Sequence, residues 1–496
     1  MPVVFTIACE WYPGQGQFDA GHEDHFMKRA TARPELLLRL SGRRGVSRRR
    51  ELERELRALI QTGGLRAGDR LPSTRNLAGD LGVSRGLVVE AYDQLLAEGY
   101  VTARRGSATR VAGRRPAAPV SRVVEPRATS LRYDFRPGVP DASMFPRRAW
   151  LASLRRTLAM APDAALGYPA PRGAEAVHAA LAAYLNRARG AVASAECVVM
   201  CAGFTQGLRL VCHVLRERGV TRMAIEDPSH AEQRSLISVA GLRPVPVAVD
   251  ADGLEVDRLA RADVGAVLIT PAHQFPTGAV LAPSRRAALL DWALRRGAFI
   301  VEDDYDAEYR YDREPVAAVQ GLAPDRVIYA GSASKTLAPA LRLGWLVLPP
   351  ELVADVAAAK RRDDLGSPTL AQLAYADFVE RGELDRHLRR MRLFYRRRRD
   401  ALVAALDFRL PALRIHGVAA GLHLMVELDE DADERAVIAA AAGRSVGVYG
   451  VAIHRARPAG HPPALVLGYA AMPETAIAEG IDRLAKAIEA TRPAGA

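Results

Sequence analysis

The sequence predicts an α/β protein with a small, basic, helical domain near its N-terminus and a large, doubly wound domain after it. The chain has 496 residues, which is too long for a single hydrophobic core. Positive charge is concentrated in residues 41–115, which hold 16 arginines and 8 acidic residues. From Tyr133 onward, apolar strands alternate with helical stretches. This alternation is typical of a sheet whose ligands bind at the strand ends.

The composition is that of a globular protein with a net charge of +12, and no stretch approaches the ~20 apolar residues of a membrane span. The apolar start is short and lacks a basic leader, so we expect no signal peptide. The four cysteines form no CxxC pair, which favours a reducing cytoplasm and no zinc site. Residues 1–30 lack periodicity, and we expect a disordered extension there or a true start at Met27.

The basic domain is predicted to be helical up to residue 98 and then to form a hairpin. Residues 48–62 have an apolar stripe opposite arginines, as in an amphipathic helix. Ser73 and Ser84 suit N-caps and Gly82 suits a tight turn, so two short helices should meet across three residues. Residues 100–111 alternate as a hairpin, which makes a basic wing. The second short helix should bury Leu87, Val88, Ala91, Tyr92, Leu95 and Leu96.

This segment carries three motifs of a DNA-binding family, Arg70–Arg75, Gly82–Arg85 and Glu98–Tyr100. They resemble the GntR winged helix-turn-helix, which would cover residues 46–113. A solvated basic face is the alternative, but charge and motif together favour nucleic acid. The resemblance implies binding to a double-stranded DNA operator, with base and phosphate contacts at the second helix and the wing. The residues assigned to DNA are Arg75, Ser84, Arg85, Gly86, Arg105 and Gly106.

Lys335 is the most informative residue of the remaining chain, because the only other lysines are Lys28, Lys360 and Lys486. Arginine can replace lysine as a charge, but not as a group that loses its proton and attacks a carbonyl such as the aldehyde of pyridoxal phosphate (PLP). A surface lysine at a strand-to-loop junction is the alternative. The preceding strand, residues 326–330, leads into Gly331-Ser332-Ala333-Ser334. These hydroxyls and amides, with Arg342, could hold a phosphate.

A second apolar strand, within residues 297–304, ends in the carboxylates of Asp303 and Asp304 and is followed by Tyr305. Carboxylates at such a strand end usually cap the next helix or bind a ligand. One of them could pair with a protonated pyridine nitrogen, which would keep the PLP ring an electron sink.

Three ordered motifs then resemble the aminotransferase-like part of the MocR branch of GntR regulators, namely Pro271–Gly278, Glu302–Tyr311 and Ser334–Pro339. The resemblance implies a PLP-dependent, aminotransferase-like architecture of fold type I. Its large, PLP-binding domain would cover residues 133–357 and its small domain residues 358–490. Residues 114–132 have no apolar period and predict a linker. The small domain should begin with a long arginine-rich helix through Arg399.

The resemblance also implies roles for single residues. Lys335 would bond covalently to PLP, Asp303 would pair with the pyridine nitrogen, and Tyr305 would bond the ring hydroxyl. The phosphate would be held by Ser332, Arg342 and the backbone amides of Phe204 and Thr205 at a helix start. Tyr168 would reach the phosphate bound by the other subunit of a homodimer.

Two positions depart from ordinary aminotransferases of this fold. An asparagine that bonds the cofactor hydroxyl is replaced by Phe275, so His273 or Gln274 would have to substitute for it. The aromatic residue that stacks on the ring is replaced by His230.

The sequence therefore predicts a cytoplasmic transcriptional regulator whose PLP-holding domain senses a small-molecule effector. The alternative is a working class I aminotransferase with an accessory DNA-binding module, although efficient turnover is not expected. Retention of the residues above argues against a regulator that has lost PLP. The stretch His461–Ala470 lacks the arginine that holds an α-carboxylate, and Arg455 and Arg457 lie nearby. We therefore expect the effector to be PLP itself or an amine without an α-carboxylate.

Overall fold

The computed structural model describes residues 38, 40, 47–104, 107–113, 131–457 and 460–492. The chain divides into two compact units, residues 1–127 and 128–496. The expectations for residues 1–30 lie outside the described residues, as do those for residues 114–130 of the predicted linker.

The first unit is a three-helix cluster with a short hairpin. Its leucine-rich core includes Leu52, Leu56, Leu77 and Leu95, all nearly inaccessible to solvent. The hairpin strands pair in antiparallel register, Val101 with Val111. The elements are α1 (Arg48–Gln61), α2 (Thr74–Leu81), α3 (Arg85–Ala97), β1 (Val101–Thr102) and β2 (Arg110–Val111).

The predicted caps of the two short helices are confirmed. The Ser73 hydroxyl accepts a hydrogen bond from the Asn76 amide at 3.2 Å, and the Ser84 hydroxyl accepts one from the Leu87 amide at 3.3 Å. Gly82 ends α2 with a φ of 62°, in the left-handed region that glycine tolerates.

The prediction that Leu96 is buried is wrong, because its side chain is 42% exposed. Leu95 is fully buried, and the next residue is turned by about 100° around the helix, so Leu96 leaves the apolar stripe. Of the other predicted core residues of α3, Val88, Ala91 and Tyr92 are buried and Leu87 is half-buried.

The second unit is built on a large twisted sheet that follows the short strand β3 (Tyr133–Asp134). Within the described residues this sheet has eight strands. They are β4 (Val198–Cys201), β5 (Arg222–Asp227), β6 (Arg243–Asp250), β7 (Gly253–Leu254), β8 (Ala266–Ile269), β9 (Phe299–Asp303), β10 (Val327–Ser332) and β11 (Gly344–Val347).

The strand order is β4-β11-β10-β9-β8-β5-β6-β7. The central strands β5, β6, β8, β9 and β10 run parallel, as the alternation of strands and helices predicted. Strand β11 is antiparallel to both β10 and β4. Because β9 and β10 are parallel neighbours, with Asp303 opposite Ala330, their carboxyl ends bring Asp303 and Ser332 to one edge of the sheet.

Helices cover both faces of this sheet and continue toward the C-terminus. A long arginine-rich helix through Arg399 is present, but its predicted start near residue 358 is wrong, because the chain is interrupted twice before residue 383. Leu365 ends one helix with a φ of 60°, Pro368 precedes the next, and Gly382, with a φ of 68°, separates that one from the third. The helices are α4 (Arg147–Met160), α5 (Glu175–Arg189), α6 (Phe204–Glu217), α7 (Ala231–Val239), α8 (Val256–Arg261), α9 (Pro283–Arg296), α10 (Ala333–Thr336), α11 (Pro350–Asp364), α12 (Thr369–Glu380), α13 (Glu383–Arg409), α14 (Glu434–Ala442) and α15 (Glu474–Thr491).

A second sheet lies in the C-terminal part, with strand order β12-β13-β16-β15, and β14 pairs with β3. The predicted domain boundary at residues 357 and 358 falls inside α11, so its position stays a prediction. Among the residues described, no helix has the length and apolar character needed to cross a membrane. The strands are β12 (Arg414–His416), β13 (His423–Glu427), β14 (Val446–Gly447), β15 (Tyr449–Gly450) and β16 (Ala464–Gly468).

Candidate functional site

A cavity of about 610 Å³ opens where β9, β10 and the starts of α6 and α7 meet. Its walls bring together most of the residues that the sequence predicted for a cofactor, although they are spread over more than 130 positions of the chain. These residues are Phe204, Thr205, His230, Asp303, Tyr305, Ser332, Lys335 and Arg342.

Lys335 lies on the short helix α10, directly after β10, and its amine projects into the cavity wall. Its Nζ donates a hydrogen bond to the Gly138 carbonyl oxygen at 2.6 Å. Burial lowers the pKa of Lys335, and the carboxylates of Asp306 and Asp303 oppose that effect. A lysine with a lowered pKa is more often unprotonated, which is the state that attacks a carbonyl.

Asp303 ends β9 and is 6% exposed. Burial, followed by the charge of Asp304, raises its pKa well above the usual range. The Gln233 side-chain amide donates to its Oδ2 at 3.1 Å. A buried carboxylate of this kind gains most from a cationic partner, and a protonated pyridine nitrogen is one.

The carboxylates on either side of Asp303 already have partners. Glu302 accepts hydrogen bonds from the backbone amides of Val319 and Gln320, both at 2.9 Å. Asp304 is held by both Nε and Nη2 of Arg189, at 2.7 and 3.0 Å. Successive side chains of a strand point to opposite faces, which separates Asp303 from both neighbours.

The start of α6 and the Arg342 guanidinium form a cradle for an anion. Gly203 precedes α6 with a φ of 88°, and the first turn, Phe204 and Thr205, lines the cavity. Arg342 donates to the carbonyl of Ala202, and a Cβ at Gly203 would lie 3.0 Å from its Nη2. Free helix amides beside a guanidinium suit a phosphate.

Neither predicted substitute for the missing asparagine lines the cavity, whereas Phe275 does. The Gln274 amide is used internally, since its Nε2 donates to the carbonyls of Pro228 and Phe275 at 2.8 and 2.7 Å. His273 lies behind Tyr305, whose hydroxyl is 3.0 Å from the His273 carbonyl oxygen. The His273 side chain therefore lies outside the cavity wall, and its bond to a cofactor stays a prediction.

His230 and Tyr168 differ in their surroundings. His230 precedes α7 and lines the cavity, and burial lowers its pKa, which keeps the ring neutral. Its ring centroid lies 5.4 Å from that of Phe275. Tyr168 is 92% exposed and lies outside the cavity wall, so its role across a subunit boundary stays a prediction.

Sequence reasoning missed part of the wall. Arg136 and Gly138 come from the segment around β3, and Tyr449 and His454 come from the second sheet and the loop after it. Arg136 donates through Nε to the Tyr449 hydroxyl at 2.9 Å. No motif marks these residues, because only the fold brings them to the lysine. Arg455 is not part of the wall.

The predicted DNA contacts of the first unit lie at the starts of α2 and α3. Arg75, Ser84, Arg85 and Gly86 are all exposed. Within the described part of this unit, the Arg75 and Arg85 guanidiniums have no carboxylate in ion-pair range, whereas Arg57 pairs with Glu98 at 2.8 Å. Free guanidiniums at a helix start suit contacts to nucleic acid. Arg105 and Gly106 lie outside the described residues.

Two protein families match the chain, one over each unit. Residues 48–111 match the family described as bacterial regulatory proteins, gntR family. Residues 140–484 match the family described as aminotransferase class I and II.

The curated relatives with the same arrangement include the probable rhizopine catabolism regulatory protein MocR of Rhizobium meliloti. It is 35% identical over 91% of this chain and 96% of its own. The pyridoxine biosynthesis transcriptional regulator PdxR of Corynebacterium glutamicum is 34% identical, over 80% of this chain and 86% of its own. Among solved structures, a kynurenine aminotransferase of Pyrococcus horikoshii is 25% identical, with a TM-score of 0.68 over 74% of this chain and 93% of its own.

Proposed function

Since this chain belongs to the MocR branch of the GntR family of bacterial transcriptional regulators, we propose that it binds PLP at Lys335 and senses a small-molecule effector there. The observation that carries the proposal is the shared cavity of Lys335, Asp303 and the anion cradle at Gly203. These three features match the aldehyde, the pyridine nitrogen and the phosphate of one molecule. The fold is that of PLP-dependent enzymes.

When bound, PLP supplies an electrophilic carbon and an electron-withdrawing ring. The Lys335 amine is the nucleophile for that carbon, and its lowered pKa favours the unprotonated form. Asp303 holds a proton or pairs with a cation at the base of the cavity. Ser332, Arg342 and the first turn of α6 would hold the phosphate, and His230 and Phe275 line the same cavity as the apolar and aromatic wall that would face the ring.

GntR-family regulators bind operator DNA, and we propose that Arg75, Arg85 and the wing make those contacts here. Arg85, at the start of α3, would reach base edges, and its neighbours would meet phosphates. Operator DNA lies in the cytoplasm, which is where we propose that the protein acts.

The effector proposed for the cavity is PLP itself or an amine without an α-carboxylate. Arg455 lies outside the cavity wall, so the guanidiniums among the described wall residues are those of Arg136, which donates to the Tyr449 hydroxyl, and Arg342, which belongs to the anion cradle. An effector shifts DNA binding only through its different affinities for two arrangements of the chain. Titrating the PLP-bound protein with amino acids and amines tests this, and a saturable response to a common α-amino acid would contradict it.

We also propose a homodimer in which Tyr168 reaches the other subunit's phosphate. Its 92% exposed side chain is free for such a contact. Tyr168→Phe should weaken PLP binding in the dimer. Light scattering that gives a monomer at working concentration would contradict the proposal.

A second candidate function is amino transfer itself, because the residues of an aminotransferase site are retained. An aromatic-amino-acid aminotransferase of Thermococcus litoralis is also 29% identical over 71% of this chain. Multiple turnovers with an amino donor and a keto acid would favour this candidate over a pure sensor.

The deciding experiment replaces the lysine. Lys335→Ala should remove the visible absorption band of the PLP-loaded protein and leave its helix content unchanged, since only the ε-amine can bond covalently to the aldehyde. Lys486→Ala, which changes a lysine that pairs with Asp482 on the surface, is the matched control and should keep the band. A borohydride-reducible adduct that persists in Lys335→Ala would contradict the assignment.

A further inference from the structure

His273 and Asp306 form a buried pair beneath Tyr305. The His273 Nδ1 lies 3.1 Å from Asp306 Oδ2, and the two residues are 2% and 1% exposed. An ionised carboxylate can only accept a hydrogen bond, so the proton of this contact belongs to Nδ1. The pair therefore fixes which nitrogen of the imidazole is protonated.

The Tyr305 hydroxyl contacts the same histidine. Its oxygen lies 3.0 Å from the His273 carbonyl oxygen and 3.2 Å from Nδ1. Because Nδ1 carries its own proton toward Asp306, the phenol donates to the carbonyl. The His273 backbone carbonyl thus holds the Tyr305 oxygen, which packs against the His273 ring, and Asp306 sets the orientation of that ring.

Asp306 also acts on the lysine. Burial lowers the pKa of Lys335, and among the charges that oppose this, the Asp306 carboxylate has a larger effect than Asp303. Other titratable or charged groups near the amine or in the cavity wall are Arg136, His230, Glu232, Arg342, His423, Tyr449 and His454. Of these, His230, His423 and His454 have pKa values lowered chiefly by burial and are neutral near pH 7.

We propose that His273 and Asp306 are positioning residues that hold the Tyr305 hydroxyl in the cavity wall it shares with Lys335, with the Asp306 carboxylate as a buried charge behind that wall. The proposal rests on PLP binding at Lys335. It also accounts for Phe275 in place of the asparagine. The Tyr305 hydroxyl is fixed by His273, which lies outside the cavity, and needs no second hydrogen-bonding side chain at position 275. Gly421 leaves room for the pair, because a Cβ there would overlap the His273 ring and lie 2.5 Å from Asp306 Oδ2.

The alternative to a hydrogen bond between His273 and Asp306 is a metal ion bound by these two residues and His423. His423 lies beside the pair, with ring centroids 4.9 Å from His273, and its ring nitrogens have no hydrogen-bond partner within the described residues. His273, Asp306 and His423 thus offer three ligand atoms within 4.8 Å of one another. The 3.1 Å contact between His273 and Asp306 is an ordinary hydrogen-bond distance, which favours a proton between them.

The test is a pH titration of the visible band of the PLP-loaded protein. Asp306→Asn keeps the shape and a hydrogen-bond acceptor but removes the charge, so the midpoint should fall by about one pH unit or more. Glu302→Gln is the matched control, because it neutralises another buried carboxylate of β9 and should leave the midpoint unchanged. His273→Leu should raise the dissociation constant of PLP by about tenfold, and His273→Asn, which keeps a donor near Nδ1, should restore most of the affinity.

The outcomes separate the two proposals. A wild-type protein without a visible band would overturn PLP binding at Lys335 itself. A band whose midpoint is the same in wild type and Asp306→Asn would overturn the positioning pair alone. Stoichiometric zinc in the purified protein, lost in both His273→Asn and His423→Asn, would also overturn it and identify a metal site. If His273→Leu does not fold, Asp306→Asn still decides the result.

Discussion

The substitution Gly203→Ala tests the anion cradle directly. Gly203 has a φ of 88° and a ψ of 175°, a combination that only glycine adopts without strain. Placing an alanine there costs about 1 to 3 kcal/mol of backbone strain. The new Cβ would also lie 3.0 Å from Nη2 and 3.2 Å from Cζ of Arg342. Because the guanidinium is the end of a flexible side chain, Arg342 should move and the backbone should stay.

The displacement removes one hydrogen bond between a charged group and the proposed phosphate. Such a bond is worth about 1.5 to 3 kcal/mol. Since about 1.4 kcal/mol corresponds to tenfold in affinity, the dissociation constant of PLP should rise by roughly 10- to 150-fold. The effect should vanish in an Arg342→Ala background, because the two substitutions remove the same interaction.

The assay is titration of the cofactor-free protein with PLP, followed by absorbance. Gly219→Ala is the control, because Gly219 follows α6, has a φ of 90° and has nothing within 4 Å of a new Cβ. It should lower the thermal stability without weakening PLP binding. Equal PLP affinity in Gly203→Ala and wild type would refute the cradle. So would an equal loss of affinity in Gly219→Ala.

Three further outcomes are expected. Arg85→Ala should weaken operator binding by about 1 to 3 kcal/mol if the side chain reaches a base edge. Arg57→Ala should not weaken it, because the Arg57 guanidinium pairs with Glu98. Fluorescence anisotropy of labelled operator DNA in a salt series measures both affinities. Ser84→Ala should cost the first unit about 1 kcal/mol in thermal unfolding, because α3 loses its N-cap. Burial lowers the pKa of His387 and His454 to about 4. As the pH falls, these histidines therefore gain protons in the unfolded chain before they do in the folded one. The free energy of unfolding measured by urea titration should fall as the pH drops from about 6.5 to 4, and it should fall less steeply in His387→Gln than in wild type.

Local chemistry made the helix-turn-helix predictable. Serine caps, a glycine turn and an apolar stripe are all encoded within a few residues, and α2 and α3 begin where they predict. The exposure of Leu96 was missed because apolar composition alone does not show where a stripe ends. The interruptions of the long C-terminal helix at Leu365 and Gly382 were missed because the arginine-rich composition of that segment hides its breaks.

The cavity was predictable only where motifs mark it. Asp303 and Lys335 follow apolar strands, and neighbouring parallel strands place such residues at one edge. Arg136, Tyr449 and His454 reach the same cavity through pairing that a single sequence does not reveal, such as β3 with β14. The position of His273 behind Tyr305 depends on side-chain packing, so spacing could not decide between it and Gln274.

The hydrogen bond from Lys335 Nζ to the Gly138 carbonyl ties the free amine to the segment that follows β3. A nitrogen that has entered a double bond with the cofactor has lost two of its three donor protons. The Gly138 carbonyl, half-buried at the cavity wall, would then lose a hydrogen bond of the kind worth about 0.5 to 1.5 kcal/mol. Gly138 follows β3 in the second unit, so the bonding state of one lysine decides whether the segment after this strand keeps its side-chain donor.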